Sequence, residues 1–489
     1  MKLLDVQPGE APSVFAVGLL SFLVGLPRVF TFTAASAAFV EHVGPEALPF
    51  AYGLGALLVA GLGLLYVRLE RRRGLLSAAA ATFAAFAVTL GLAGGALHRQ
   101  LAVPGVAFAL VLIAEAEFTL TNITFWNVAG RAFTSRQAAR LFGFVSAGQT
   151  IPAILGGLAI PGLVRAVSTE GLLMGSVLGH LLATGFVLQL PRWLDGLGRP
   201  APAAGGPGRP VSHAERSNRS EAPRPLRALL ARPYLRQLAI LLGLQVVVFF
   251  AVDNAFFFAV EDRLGPGEPT ASFLGRFLVA LGICNLLFRL GLAGRWRRWF
   301  GLRTALASTP ATLLVLAALT VLARSGGAQA WTVFGLVVVL KLWERLSVDA
   351  IHSPSFYSLF LPLPAGERVS AQSTLESVVA QLATLGTSLG LIVLVDALGL
   401  ELDALLVATA VACAVWFAFS LAVARGYREI LQSTLASRRV EPGALPIADS
   451  TTLDLIAQET RSESPARVLR SLEILDALDA KDLPEVAAE

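Results

Sequence analysis

The sequence predicts an all-α polytopic membrane protein, with about twelve transmembrane helices in two six-helix halves. Three features predict it. The chain is 55% hydrophobic and only 15% charged, with a mean hydropathy of +0.68. Apolar runs long enough for a bilayer follow one another along most of its length. A polar, Pro- and Gly-rich stretch then divides those runs evenly. A soluble multidomain protein carries about a quarter charged residues, so this balance excludes that class.

A helix needs about 20 mostly apolar residues to cross the hydrocarbon core, where backbone groups find no water. By that measure the spans fall at roughly 13–40, 47–68, 75–97, 102–128, 141–165, 171–191, 237–260, 270–293, 303–323, 329–357, 371–397 and 402–425. The first run is long enough to stay as an anchor, and no small-residue cleavage site precedes it. Segment 192–236 contains "RPAPAAGGPGRP" and "RSNRSEAPRP" and has too little apolar surface to fold alone, so it reads as a linker with a short amphipathic helix. It separates an N-terminal half, 1–191, from a C-terminal half, 237–425, and a polar tail occupies 426–489.

Arginines set the orientation. Arg68, Arg71, Arg72 and Arg73, then Arg131, Arg136 and Arg140, then Arg295, Arg297, Arg298 and Arg303 crowd one set of loops. The alternate loops hold mainly Arg99, Arg165, Arg263 and Arg324. Positive charge is retained on the cytoplasmic side, so both termini and the linker are expected there. The Ala, Gly, Leu and Arg bias points to a bacterial inner membrane. Although the net charge is +5, the basic residues sit in short clusters beside apolar runs. Membrane lipid, and no nucleic acid, is the expected surrounding. Cys284 and Cys413 both lie in apolar runs, offering neither a disulfide framework nor a CxxC metal site. No GxxxxGK[ST], HExxH or GxSxG motif occurs, so no enzymatic chemistry, cofactor or metal is expected.

The halves echo each other at an offset of roughly 225–230 residues, a signature of internal duplication. "YVRLERRRGL" follows the second span of one half and "GRWRRWFGLR" the second span of the other. Two six-helix halves with basic inner loops resemble the Major Facilitator Superfamily. The loop "RLERRRG" keeps the arginines and one Gly of that superfamily's signature, without its Asp.

Ionisable groups inside the spans cost about 2.5–3.5 kcal/mol each near the bilayer centre, so they are expected to face a cavity or a partner. They concentrate in four spans: Arg28 in the first, Glu115 and Glu117 in the fourth, Asp253, beside the polar Asn254, in the seventh, and Lys341, Glu344, Arg345, Asp349 and His352 in the tenth. In the superfamily that the chain resembles, these four helices line the central cavity. At about 100° per residue, Lys341, Arg345, Asp349 and His352 share a narrow arc, with Glu344 about 60° aside. The stripe reads either as a ligand site or as an ion-pair ladder that satisfies itself. Arg28 has no acidic neighbour on its own helix; it awaits Glu115, Glu117 or Asp253, or an anionic substrate. Glu115 shares a face with Thr119, Asn122 and Trp126 and is the better cavity residue, whereas Glu117 suits a neutral group packed between helices. Glu117, Arg289 and Glu376 are candidates for gating or coupling, the last two near the inner rim, and His180 reads as a packed polar residue.

Further stretches are similar to the ATP/ADP (nucleotide) translocases of plastids and bacteria: "GPEALPFAY", "FW" with "FTSRQAARLFGFVSAGQTIPAILGG", "RPYLRQLAILL" and "FYSLFLPLPAGERVSAQS". The resemblance implies counter-exchange of nucleotides, with roles for Arg28, Glu115, Asp253, Lys341 and Arg345. The charged pair that family shows late in its first helix is replaced here by "TFTAASAAF". The tail "STTLDLIAQETRSESPARVLRSLEILDALDA" resembles one HEAT-type helical pair, which implies docking on the bundle or on a cytoplasmic protein partner. The expected function is alternating-access transport of an anionic or zwitterionic solute. The other expectation is a transporter-like sensor or anchor that signals through the helical tail.

Overall fold

α1 spans Ala11–His42, α2 Leu48–Arg73, α3 Leu75–His98 and α4 Val103–Ala132. α5 (Thr150–Thr169) and α6 (Gly171–Arg192) follow, and the chain breaks between them at Ser168, whose φ is 69°. α7 spans Pro233–Leu264, α8 Glu268–Gly291 and α9 Gly301–Ser325. Gly301, with φ 70°, sets α9 off from the helical segment 293–300. α10 (Ala330–Ser347), α11 (Ala380–Ile392) and α12 (Leu402–Ala436) complete the set. This computed structural model describes residues 10–133, 148, 150–193, 231–291, 293–360, 363, 371–372, 374–394 and 402–436. All regular structure among them is helical.

Ten of these helices are long and apolar enough to cross a membrane, so the chain is a multi-pass membrane protein. The other two lie where the sequence predicts the tenth and eleventh spans. α10 carries Lys341, Glu344 and Arg345 within 18 residues and continues through a π-turn, Val348–His352, into Ser353–Ser358. α11 has only 13 residues but is entered through a second π-turn, Leu375–Val379. Exposed Leu92, Met174, Leu322 and Leu389 are each at least 65% accessible; such faces belong against lipid chains. The linker from 194 to 230 and the tail beyond 436, with its HEAT-like reading, lie outside the described residues, as do the loop stretches 134–147 and 364–370.

The chain forms two compact units. One comprises Met1–Arg209, Asn254–Leu286 and Leu385–Leu400; the other comprises Pro210–Asp253, Leu287–Thr384 and Glu401–Glu489. The first unit holds α1 to α6 with the later part of α7, most of α8 and the end of α11. Its core falls into one cluster around Val17, Leu20, Phe83 and Phe125 and another around Phe30, Leu90, Leu110 and Leu173. In the second unit, Leu238, Val252, Leu306, Phe360 and Trp416 anchor the core.

Inside the first unit, α1 packs closely on α6. Pro27 has no N–H for the helix ladder and a rigid ring on its backbone. Gly179 makes room for that ring: a Cβ there would lie 2.5 Å from Pro27 Cγ. One turn earlier, Gly175 accommodates the Phe30 ring in the same manner, at 3.0 Å. Between them Ser176 Oγ donates to the Pro27 carbonyl at 3.1 Å and sits 2.5 Å from Thr31 Oγ1. Membrane helices associate through such close van der Waals approach and small-residue polar contacts, because lipid chains offer no hydrophobic drive between helices. Gly179→Val is therefore expected to destabilise the protein by about 1–3 kcal/mol, the usual cost of overpacking, read as a lowered unfolding temperature in detergent. Gly185→Ala, where a Cβ meets nothing within 4 Å, is the control and leaves that temperature unchanged or raised.

Candidate functional site

The second unit contains a cluster of four charges. On α7, Phe249 and Asp253 are spaced i, i+4 and so share a face. On α10, Lys341, Glu344 and Arg345 fall on adjoining positions. Lys341 Nζ lies 2.8 Å from Asp253 Oδ1 and 3.1 Å from Glu344 Oε2. Arg345 Nε stands 3.9 Å from the same Glu344 oxygen. Both cations also lie over the Phe249 ring, at 4.5 Å for Lys341 and 4.3 Å for Arg345. Two positive and two negative groups make the cluster formally neutral, which removes most of the penalty of burying it.

Exposure within the cluster is graded. Glu344 and Lys341 are sealed, with side chains 1% and 4% accessible, while Asp253 reaches 14% and Arg345 34%. An incoming anion would therefore meet Arg345 first and compete with Asp253 for Lys341. That arrangement permits exchange of partners, because each charge leaving one counter-ion can find another within a few ångströms.

The stripe expected along the tenth span does not run its full length. The π-turn from Val348 to His352 takes up one extra residue with an i→i+5 bond, Ser353 N–H to Val348 O. Side chains beyond it are rotated out of phase with Lys341 and Arg345. Asp349 is exposed, and His352 is fully buried with its ring edge-on to Trp416 at 4.8 Å. Glu376, exposed within the other π-turn, lies beside the Tyr357 hydroxyl. The Arg289 side chain lies outside the described residues.

The first unit holds a second polar group. Glu117 is buried and its Oε1 lies 3.0 Å from His180 Nε2, with the two side chains 1% and 0% accessible. The His180 ring is stacked beside Phe83 and Phe86 of α3, at centroid distances of 6.1 and 5.7 Å. Arg28 covers the Phe118 ring at 3.9 Å and feels the charge of Glu117. Glu115 points the other way and is exposed, against Gly55 of α2; Asn122 is half-buried. Asn254 turns away from its neighbour Asp253 and donates to the Pro45 carbonyl at 3.5 Å. Sequence reasoning passed over Phe249 and read His180 as a packed polar residue, which it is, without naming its partner. His180 is an ionisable residue in an otherwise apolar span, and it needed a buried carboxyl to answer it.

Lys341→Met is expected to leave Asp253 and Glu344 buried without their cation, at a cost of about 3–5 kcal/mol. Adding Asp253→Asn should recover part of that loss, and Arg345→Gln, at the half-exposed end, should cost markedly less. Unfolding temperatures of the purified variants check this order.

No family model and no curated protein matches the chain. Its fold, however, matches solved transporters over nearly their whole length. A POT family transporter in complex with 5-aminolevulinic acid superposes with a TM-score of 0.57 at 12% identity, covering 84% of this chain and 96% of that one. The nucleoside transporter NupG gives 0.56 at 15% identity, covering 84% and 98%. A D-xylose–proton symporter gives 0.55 at 14% identity, covering 86% and 99%. The chain thus has the all-α, membrane-spanning fold that these solved transporters share.

Proposed function

We propose that the protein is an alternating-access carrier for an anionic or zwitterionic solute. The observation that carries this reading is the graded four-charge cluster of Asp253, Lys341, Glu344 and Arg345 within membrane-spanning helices, on a fold that in its solved relatives serves transport. The halves 1–191 and 237–425 are the moving bodies, and positive-inside loops put both termini in the cytoplasm. Arg345 and Lys341 meet the anionic group of the solute, and Asp253 and Glu344 hold the empty site neutral. Nucleotide exchange is the finer form of this proposal. It rests on the sequence resemblance to the ATP/ADP translocases, and in a bacterium would act at the inner membrane.

A closed face supports alternation. Within the first unit, a Cβ on Gly157 of α5 would lie 2.6 Å from the Gly275 carbonyl of α8, and one on Gly282 would lie 2.7 Å from Ile154. Ser388 of α11 bonds the Pro49 carbonyl of α2, and Asn254 of α7 bonds Pro45. Arg165 and Glu268 pair at 3.2 Å on the same side. The Arg165–Glu268, Ser388–Pro49 and Asn254–Pro45 contacts lie toward the helix ends away from the arginine-rich loops, which is how a carrier closed to the outside would be held.

Reconstitution into proteoliposomes tests the function. With labelled nucleotides, nucleosides and organic anions outside, uptake of at least one anion is expected, and it should fall to background in Arg345→Ala while the protein stays folded. Uptake of nothing by the wild type would sink the carrier reading and favour a sensor or anchor. Gly157→Val is expected to hold the closed face apart. Ser388→Cys in a background lacking Cys284 and Cys413 would then react several-fold faster with a water-soluble thiol reagent.

A further inference from the structure

We propose that the arginine-rich end of α2 is a binding site for one anionic phospholipid, with its phosphate held by Arg68, Arg71 and Arg72 and an acyl chain laid along the helix over Gly61. The inference does not depend on what the carrier moves. At about 100° per residue α2 has two distinct faces. Tyr66 and Glu70 share the inner one. There Tyr66 is buried and accepts from Asn127 Nδ2 of α4 at 3.5 Å, and Glu70 pairs with Arg131 of the same helix. Leu57, Leu64 and Leu65 share the outer face with Arg68, Arg71 and Arg72, within an arc of about 120°. All six are exposed.

Charge and shape on that outer face both fit a lipid. No ion pair joins these three arginines to an acid among the described residues, and Glu70, the acid nearest in sequence, is engaged with Arg131 on the other face. Spaced i, i+3 and i+4, the arginines are neighbours on the helix surface, where like charges repel. A phosphate set among them removes the repulsion, and guanidinium forks suit its oxygens. Basic clusters beside a span draw anionic headgroups, and this one continues directly from an exposed apolar strip that belongs against lipid chains. Gly61 lies about 10 Å deeper than Arg68 along the axis and within about 20° of it. A Cβ there would meet nothing within 4 Å, so the glycine leaves a shallow notch between Leu57, Leu64 and Leu65, directly below the arginines, in which a chain can lie. Basic charge that only fixed topology would serve equally well on any face of the helix; three of these four arginines stand on the lipid-facing arc, and Arg73 points about 140° away from Arg68. A zwitterionic lipid cancels its phosphate with its own ammonium, so the site selects a lipid of net negative charge.

Native mass spectrometry of the full chain in detergent with added lipid reads the site without any transport. The wild type is expected to retain phosphatidylglycerol several-fold better than phosphatidylcholine, and to unfold at a higher temperature with the former. Arg68→Gln combined with Arg72→Gln should remove that preference, whereas Arg73→Gln should keep it. Loss of charge beside a span can also disturb insertion, so Gly61→Leu is the second variant. It leaves every arginine in place, fills the notch, and should lower phosphatidylglycerol retention several-fold. Free glycerol phosphate at the same concentration should neither raise the unfolding temperature nor displace the lipid. The proposal is overturned by equal retention of the two lipids in the wild type, by a preference that survives the double arginine variant, by retention undiminished in Gly61→Leu, or by glycerol phosphate acting as well as the lipid.

Discussion

Every arrangement here depends on one constraint: a charge taken into hydrocarbon must bring its counter-charge. The isolated cost is large enough that unpaired groups would neutralise or unfold the segment that carries them. Lys341 answers this constraint twice, with Asp253 across the helix contact and Glu344 on its own helix. Phe249 adds the negative face of its ring beneath both cations, an interaction that strengthens as water is excluded. The helices are positioned by these contacts as much as the contacts by the helices. α7 must present Asp253 at the depth of Lys341, and the neighbouring Asn254 is thereby turned to the opposite side.

Where charge does not fix the geometry, small residues do. α1 and α6 are joined by two glycines that receive Pro27 and Phe30 and by a hydroxyl contact between Ser176 and Thr31. That interface combines rigid rings, polar bonds and a continuous core, and it reads as permanent. The approach of α5 to α8 is different. Gly157 and Gly275 bring backbones together with little more than van der Waals contact, and the polar bonds beside it are few. Such a seam holds firmly when shut, because its packing is close, yet separating it strands few polar groups. A carrier needs one interface of each kind.

Much of this was legible in the sequence because a bilayer imposes a simple rule on length and polarity. The spans, the polar midpoint and the concentration of charge in the first, fourth, seventh and tenth helices follow from that rule. Three particulars did not. The stripe on α10 assumes uniform helical phase, and the π-turn at Val348 to His352 breaks that phase. Glu117 was legible as a packed group, but its partner His180 sits 63 residues away, and helical phase says nothing of contacts between helices. Arg28 is expected to meet an acid of another helix or an anionic substrate, and the structure lays it over Phe118 with Glu117 close enough to be felt.

The two polar groups also differ in what could reach them. Around Lys341 accessibility rises from 1% at Glu344 to 34% at Arg345, so a solute can approach from one end while the other stays dry. Around Glu117 there is no such gradient: both partners are sealed and an aromatic wall from α3 closes the far side. A solute cannot enter there without unpacking the α3–α4–α6 contact. Packing alone thus bars from the Glu117–His180 pair a solute of the size that could reach Arg345.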